Sequence, residues 1–364
     1  MKIGVLGGGQ LGRMLALAGY PLGLRLRFFD KSPNAPAGQV AECIAADFHD
    51  SQALERFAEG LDLVTYEFEN VPADAARSLA RQVPRFLPPP EALEIAQDRH
   101  NQRQFFERLG IPTPRFRLVN TREDLGRAIE HTGLPAVLKT RRWGYDGKGQ
   151  KIVSSVLDLD SAWKAMGGEP LIAESFVHFE RELSLVAVRG ANQQTAFYPL
   201  TENRHCDGIL RVSRAPAPGI EPAVQDLAER YAHAIFAELH YAGVLTIEFF
   251  DDSGKLLANE MATRVHNSGH WTIEGAETSQ FENHLRAVTG QPLGSTAVRG
   301  AAAMVNFIGS MPAEQLVLSI PGAHLHLYGK APRPGRKLGH ATLRANCQQE
   351  LKSRLEQLER IAGG

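Results

Sequence analysis

Within thirteen positions, Asn259-Glu260-Met261-Ala262-Thr263-Arg264-Val265-His266-Asn267-Ser268-Gly269-His270-Trp271, the chain gathers a carboxylate, a guanidinium, two imidazoles, amides and hydroxyls. Few of these side chains suit a core, and burying several without partners would be costly. The segment therefore predicts a site that holds something charged. Just upstream, Val244–Phe250 and Lys255–Ala262 read as strands flanking the turn Asp251-Asp252-Ser253-Gly254. With the turn centred near Ser253, Glu248 faces Ala258 and Glu260 lies two positions farther along the same face. Such diagonal neighbours are roughly 7–8 Å apart at the backbone, within reach of one shared cation. Two hard oxygen donors beside a phosphate suit Mg²⁺, with water completing the shell. The competing reading is two solvated strand residues; the apolar lead-in Val244-Leu245-Thr246-Ile247 favours a site.

A second constellation is Arg142-Trp143-Gly144-Tyr145-Asp146-Gly147-Lys148-Gly149-Gln150, set between two strands. A hairpin with three glycines can fold over a triphosphate and offer it backbone N–H groups, and Lys139 at the end of the preceding strand adds a cation. A solvent-exposed hairpin built on Asp-Gly turn chemistry is the plainer alternative. Near the N-terminus, Gly7-Gly8-Gly9-Gln10-Leu11-Gly12 follows a strand and opens a helix, with Asp30 ending the next strand. This pattern suits a dinucleotide and its ribose, but suits equally a nucleotide-type fold that binds none. Toward the C-terminus, Lys330, Arg333, Arg336 and Lys337 form a basic loop flanked by His324, His326 and His340. Alone this reads as a solvated loop; with Arg264 and His266 it would suit a sugar phosphate. The three histidines are either ligands or strand-end residues.

The elements that must position these groups alternate. Lys2–Leu6, a helix from about Leu11 to Ala18, Leu24–Phe29 and Leu63–Glu67 predict a doubly wound parallel unit that ends near Pro88-Pro89-Pro90. A helix over about Ala92 to Leu109 follows. Strands are expected at Ala136–Lys139, Gln150–Ser154, up to Glu174, at Glu182–Val188, His324–Tyr328 and Leu338–Leu343, and a helix at about Gln348 to Ile361. The fold class is α/β with α+β: a Rossmann-like first domain, residues 1–96, then 97–177, then 178–364 with a smaller segment at 301–364.

At 364 residues, two or three domains are the natural expectation. Lys and Arg number 40 against 41 Asp and Glu, which argues against a protein built to coat nucleic acid. Three scattered cysteines read as reduced thiols. No apolar run approaches a signal peptide or membrane span, so a cytoplasmic protein is expected.

Taken in order, these pieces resemble the ATP-grasp enzymes, and within them the branch of purine biosynthesis that makes N5-carboxyaminoimidazole ribonucleotide. The resemblance runs through Gly7–Gly12, Thr65-Tyr66-Glu67-Phe68-Glu69-Asn70-Val71-Pro72, Gln97-Asp98-Arg99 and Gly144–Gln150. It continues through Asn203-Arg204-His205-Cys206-Asp207-Gly208-Ile209-Leu210, His266–Trp271 and Gly335–His340. It implies an ATP-grasp fold whose small lid domain closes on a larger lobe. It implies that ATP is held by Arg99, Lys139, the Gly144–Gln150 loop, Glu174, Ser175, Phe176, Val177, Glu182, His205, Asn259 and Glu260, with backbone groups at 174–177 on adenine and Glu182 on ribose. Glu248 and Glu260 would hold Mg²⁺. Aminoimidazole ribonucleotide would meet Tyr145, Asp146, Arg264, His266, Asn267, Ser268, Lys330, Arg336 and Lys337. Lys139, Arg264 and His266 would be catalytic, His266 with general-base chemistry open to it. Bicarbonate, MgATP and a homodimer complete what the resemblance implies.

Three positions depart from the family pattern. Thr263 stands where Pro is usual, predicting a looser turn; Cys206 replaces a common Gln; Ala262 occupies a position where many ATP-grasp enzymes have a metal-binding Asn. The rivals are a formate-using transformylase on the same scaffold, a dinucleotide-dependent oxidoreductase using Gly7–Gly12, and a non-catalytic nucleotide sensor.

Overall fold

A computed structural model describes residues 1–144 and 147–363; Tyr145 and Asp146, both expected at the acceptor site, lie outside the described residues. Among the described residues the strands form three sheets. The first is parallel: β1 (Lys2–Leu6), β2 (Arg25–Asp30), β3 (Glu42–Ala45) and β4 (Leu63–Tyr66), in the order β3-β2-β1-β4. Every residue of β4 is buried and β1 is buried from Ile3 onward, as parallel strands covered on both faces must be.

The second sheet is antiparallel: β5 (Phe116–Val119), β6 (Ala136–Thr140), β7 (Gln150–Val153) and β8 (Leu171–Ser175), in the order β5-β8-β6-β7. The third has nine strands: β9 (Arg181–Arg189), β10 (Thr195–Phe197), β11 (Thr201–Cys206), β12 (Ile209–Ala215), β13 (Gly243–Asp252), β14 (Lys255–Ala262), β15 (Ala301–Ile308), β16 (Ala323–Leu327) and β17 (Lys337–Ala345). Its path is β14-β13-β9-β11-β12-β15-β17-β16, so the C-terminal strands extend the sheet that carries β13 and β14. The last helix, Gln348–Ile361, buries Leu351, Leu355 and Leu358, an i, i+4, i+7 stripe, against β15 and β17.

The helix expected over 92–109 is two: Pro90–Ala96 and Arg99–Arg108. Asp98 breaks the run by capping the second, its carboxylate accepting from the His100 and Asn101 N–H groups. That restart aims Arg99 and Arg103 toward the cleft between the second and third sheets.

His284 ties the first sheet to the third. Its Nδ1 accepts the Val244 N–H at 3.1 Å and its Nε2 lies 2.9 Å from Thr65 Oγ1. Burial lowers its pKa to about 4, against about 6.5 when unfolded. The folded imidazole is neutral, so its stabilisation is complete above pH 6.5 and is lost as pH falls toward 4, where the unfolded chain binds the extra proton. Acidification across that window is expected to cost on the order of 3 kcal/mol from this residue. His284→Gln, measured by thermal unfolding at pH 7.5 and 5, should show a shallower pH dependence than the parent; equal slopes would contradict this.

Candidate active site

Lys139 is placed by register. In the second sheet Val137 pairs with Glu174, so Lys139 sits diagonal to Glu174 on the same face. Lys139 Nζ reaches Glu174 Oε2 at 2.6 Å and Arg103 Nε reaches Glu174 Oε1 at 2.8 Å, all three side chains buried. Burial opposes ionisation of Glu174, yet Arg103 and Lys139 hold its carboxyl down to about 2. Arg103 also donates to the Asn259 carbonyl, joining the second sheet to β14. At the start of the same helix, Arg99 Nη1 lies 3.2 Å from Glu260 Oε2 and its Nη2 donates to the Gly144 carbonyl at 3.3 Å.

The carboxylate pair is closer than expected. Phe249 pairs with Ala258 but Glu248 pairs with Glu260, because a bulge inserts Asn259. The two-residue turn Ser253-Gly254 shifts the register by one position and the bulge by a second, which turns the expected diagonal relation into a directly opposite one. Burial, then the charge of Glu260, pushes the Glu248 carboxyl up to about 8, while Arg99 and Lys139 overcome burial to lower Glu260. Two crowded carboxylates, one of them reluctant to ionise, fit a divalent cation. Among the described residues no group of three or more His, Cys, Asp or Glu side chains gathers for a metal, so the remaining donors would be phosphate and water, as Mg²⁺ prefers.

These groups line a cavity of about 310 Å³. Arg99, Lys139, Gly147, Lys148, Gln150, Phe176, Glu182, His205, Glu248, Asn259 and Glu260 are all on its wall. His205 Nδ1 holds Glu182 Oε2 at 2.7 Å. Val137, Ile152, Phe176 and the stacked pair Phe179–Phe250 (4.8 Å between centroids) give one end an apolar slot suited to a base. Gly147 closes the lid loop onto the β11–β12 hairpin: its φ is +73°, and a Cβ there would lie 2.5 Å from the Asp207 carbonyl. Cys206 is exposed on that hairpin. Glu174 and Ser175 do not line this cavity; Ser175 Oγ instead accepts the Arg115 N–H.

A second cavity, about 690 Å³, opens between the first and third sheets, with Gly9, Gln10, Glu67, Glu69, Gly144, Arg264 and Lys330 on its wall. Arg264 Nη2 pairs with Glu69 Oε2 at 2.9 Å, and Lys330 donates to Gln10. Arg336 turns onto the Ala331 carbonyl at 3.2 Å and lines neither cavity. Arg99, Glu260, His266, Asn267 and Lys337 border both cavities. His266 Nε2 is 3.6 Å from Glu248 Oε1. Burial, Arg264 and Lys337 hold its pKa well below the usual histidine range. Asn267 is fixed by a reciprocal amide pair with Asn306, at 2.7 and 3.2 Å.

The glycine motif at the N-terminus is satisfied from within. Asp30 Oδ2 accepts the Gly8 N–H and Glu67 Oε1 the Gly9 N–H, both at 2.8 Å. The donors and the acid that a dinucleotide would use are occupied, which favours the nucleotide-type fold that binds none over a ribose role for Asp30. Thr263 is buried and accepts the Tyr66 hydroxyl at 3.0 Å; the threonine ties the segment to the first sheet where a loosened turn was expected. His326 and His340 stack at 4.4 Å beside Glu274 and Tyr328, His324 is exposed, and none of the three lines either cavity. Sequence reasoning missed Arg103, Asn306 and the Phe179–Phe250 stack, and left Glu67 and Glu69 without roles although both lie in a quoted motif.

Known proteins share this architecture. Residues 1–97 match the ribonucleotide synthetase preATP-grasp domain, 104–281 the ATP-grasp domain and 302–354 the phosphoribosylaminoimidazole carboxylase C-terminal domain. The chain is 52% identical to an N5-carboxyaminoimidazole ribonucleotide synthase of Pseudomonas aeruginosa, over 99% of each chain. The crystal structure of the Thermus thermophilus synthetase of that name superposes with TM-score 0.95 at 60% identity, covering 99% of this chain and 98% of the other. The Aspergillus clavatus enzyme, solved with ADP and 5-aminoimidazole ribonucleotide, gives 0.93 at 33% identity, covering 100% and 98%. With its three matched segments and full-length relatives, the chain belongs to the N5-carboxyaminoimidazole ribonucleotide synthase family of ATP-grasp enzymes.

Proposed function

We propose that the protein carboxylates 5-aminoimidazole ribonucleotide with bicarbonate at the expense of ATP, releasing ADP, phosphate and N5-carboxyaminoimidazole ribonucleotide. The observation that carries this is the shared wall: five residues border both cavities, so a group activated on the ATP side emerges beside the acceptor side. An oxygen of bicarbonate attacks the γ-phosphorus and ADP departs, leaving carboxyphosphate. The exocyclic amine of the ribonucleotide then attacks the carboxyl carbon, directly or after CO₂ is released in the closed site, and phosphate leaves.

The chain's part is positioning and charge neutralisation. Arg99, Lys139 and the amides of the Gly144–Gln150 loop hold the phosphates, and His205 orients Glu182 toward the ribose. Arg264 and His266 face the carboxyl group, and Lys330 and Lys337 the ribonucleotide. Mg²⁺, held by Glu248 and Glu260, would offset phosphate charge. Lid closure keeps water from an intermediate that hydrolyses readily.

Among the described residues no helix is long and apolar enough to cross a membrane; a cytoplasmic homodimer is the form we propose from family membership. ADP release, followed with each substrate omitted in turn and with formate replacing bicarbonate, tests the assignment. Turnover should need both ribonucleotide and bicarbonate; turnover indifferent to both, or supported by formate, would overturn it.

A further inference from the structure

The two ring nitrogens of His266 meet different surroundings. Nδ1 receives the Ser268 backbone N–H at 3.3 Å and lies 2.9 Å from Ser268 Oγ. A backbone amide can only donate, so Nδ1 must present a lone pair and cannot carry a proton. The hydroxyl points the same way. Asn203 Nδ2 donates to Ser184 Oγ at 2.9 Å, Ser184 Oγ lies 2.9 Å from Ser268 Oγ, and Ser213 Oγ donates to Asn203 Oδ1 at 2.8 Å. With the Asn203 amide donating to Ser184, the Ser184 hydroxyl donates to Ser268 Oγ and the Ser268 hydroxyl donates to Nδ1. Ser184, Asn203, Ser213 and Ser268 are all buried, on β9, β11, β12 and the turn after His266. Water does not compete for these groups, so the direction of the chain is set by the protein.

We infer that this buried relay fixes His266 as the neutral tautomer protonated at Nε2. His266 then serves the reaction as a hydrogen-bond donor to a carboxyl oxygen of bicarbonate or carboxyphosphate, and is not the base that deprotonates the amine. The identity of the recipient rests on the carboxylation reading; the tautomer does not. Nε2 is the nitrogen nearest Glu248, on the ring that borders both cavities. As the C–N bond forms and the C–O bond to phosphorus breaks, the electron pair leaves with phosphate. The amine proton goes to that phosphate, whose second ionisation lies near neutrality. Ser268, Ser184 and Asn203 are positioning residues, acting through the ring as outer partners do for other histidines.

Full-length protein labelled with ¹⁵N at histidine, its His266 signals assigned through contact with the Ser268 amide, reports the tautomer by NMR at neutral pH without any variant. A pyrrole-like Nε2 and a pyridine-like Nδ1 are expected; a proton on Nδ1, alone or in the imidazolium, overturns the inference. Activity gives the second reading. His266→Gln restores an amide donor near Nε2 but no base, and should keep at least about a tenth of kcat, whereas His266→Ala should lose about 10²-fold. A folded His266→Gln as inactive as His266→Ala overturns the donor role. Ser268→Ala removes the hydroxyl but keeps the backbone N–H on Nδ1, so it should leave the ring as the Nε2-protonated tautomer while loosening its hold, lowering kcat with the KM for ATP unchanged. Wild-type protein that makes no carbamate would fail the carboxylation reading, and the NMR result would still decide the tautomer.

Discussion

Glu260→Ala is expected to lower ADP formation by on the order of 10³-fold, the scale set by removing a group that organises charge at a phosphoryl transfer. Glu260 stands opposite Glu248 at the bulge and pairs with Arg99, which also holds the Gly144 carbonyl of the lid loop. Its loss removes half of the proposed Mg²⁺ site and releases Arg99 at once. Glu260→Gln keeps the shape and the Arg99 hydrogen bond but not the charge, so it should fall nearly as far. Glu260 borders the acceptor cavity but is not among the residues proposed to hold the ribonucleotide, so ribonucleotide binding measured calorimetrically should be weakened far less than turnover. Near-normal ADP release from either variant would refute the metal role.

Arg103→Leu is expected to destabilise the fold by about 3–5 kcal/mol, the cost of leaving one partner of a buried ion pair behind. Arg103 has no solvent exposure, and it supplies Glu174 with a 2.8 Å hydrogen bond while donating to the Asn259 carbonyl. Without it, Glu174 remains almost fully buried against Lys139 alone. The thermal midpoint should drop by on the order of 10 °C. The double variant Arg103→Leu/Glu174→Gln should recover part of that loss, because no unpaired carboxylate stays buried. A single variant with an unchanged midpoint, or a double variant no better than the single, would contradict this reading. The change also frees the bulge carbonyl, so turnover should fall in the folded fraction as Glu260 loses its support.

The parts of the site that could be read from sequence are those whose partners lie nearby in the chain. The Asp251–Gly254 turn announces the β13–β14 hairpin, and the hairpin brings Glu248 and Glu260 together. The register was off by two residues: the hairpin closes on Ser253-Gly254 alone, and the bulge at Asn259, which has no signature in the sequence, adds the second residue. Leu351, Leu355 and Leu358 made the final helix legible through their spacing. Arg103 was not legible: Arg-His-Asn-Gln-Arg on a helix reads as a solvated face, and its partners stand 71 and 156 residues away. The glycine motif left two readings open for a related reason. Its spacing reports a turn with free N–H groups, but only the fold reveals that Asp30 and Glu67 already accept from two of them. The His266 relay is hidden in the same way, since serines and asparagines on β9, β11 and β12 carry no pattern until the sheet aligns them.

The central claim is that ATP activates bicarbonate on one side of the shared wall and the ribonucleotide captures the carboxyl group on the other. Bicarbonate labelled with ¹³C and ¹⁸O, supplied with MgATP and 5-aminoimidazole ribonucleotide, tests it directly. The account predicts ¹³C in the carbamate product and one ¹⁸O atom in each phosphate released, the oxygen that bridged carbon and phosphorus. Phosphate free of ¹⁸O alongside stoichiometric ADP would contradict it.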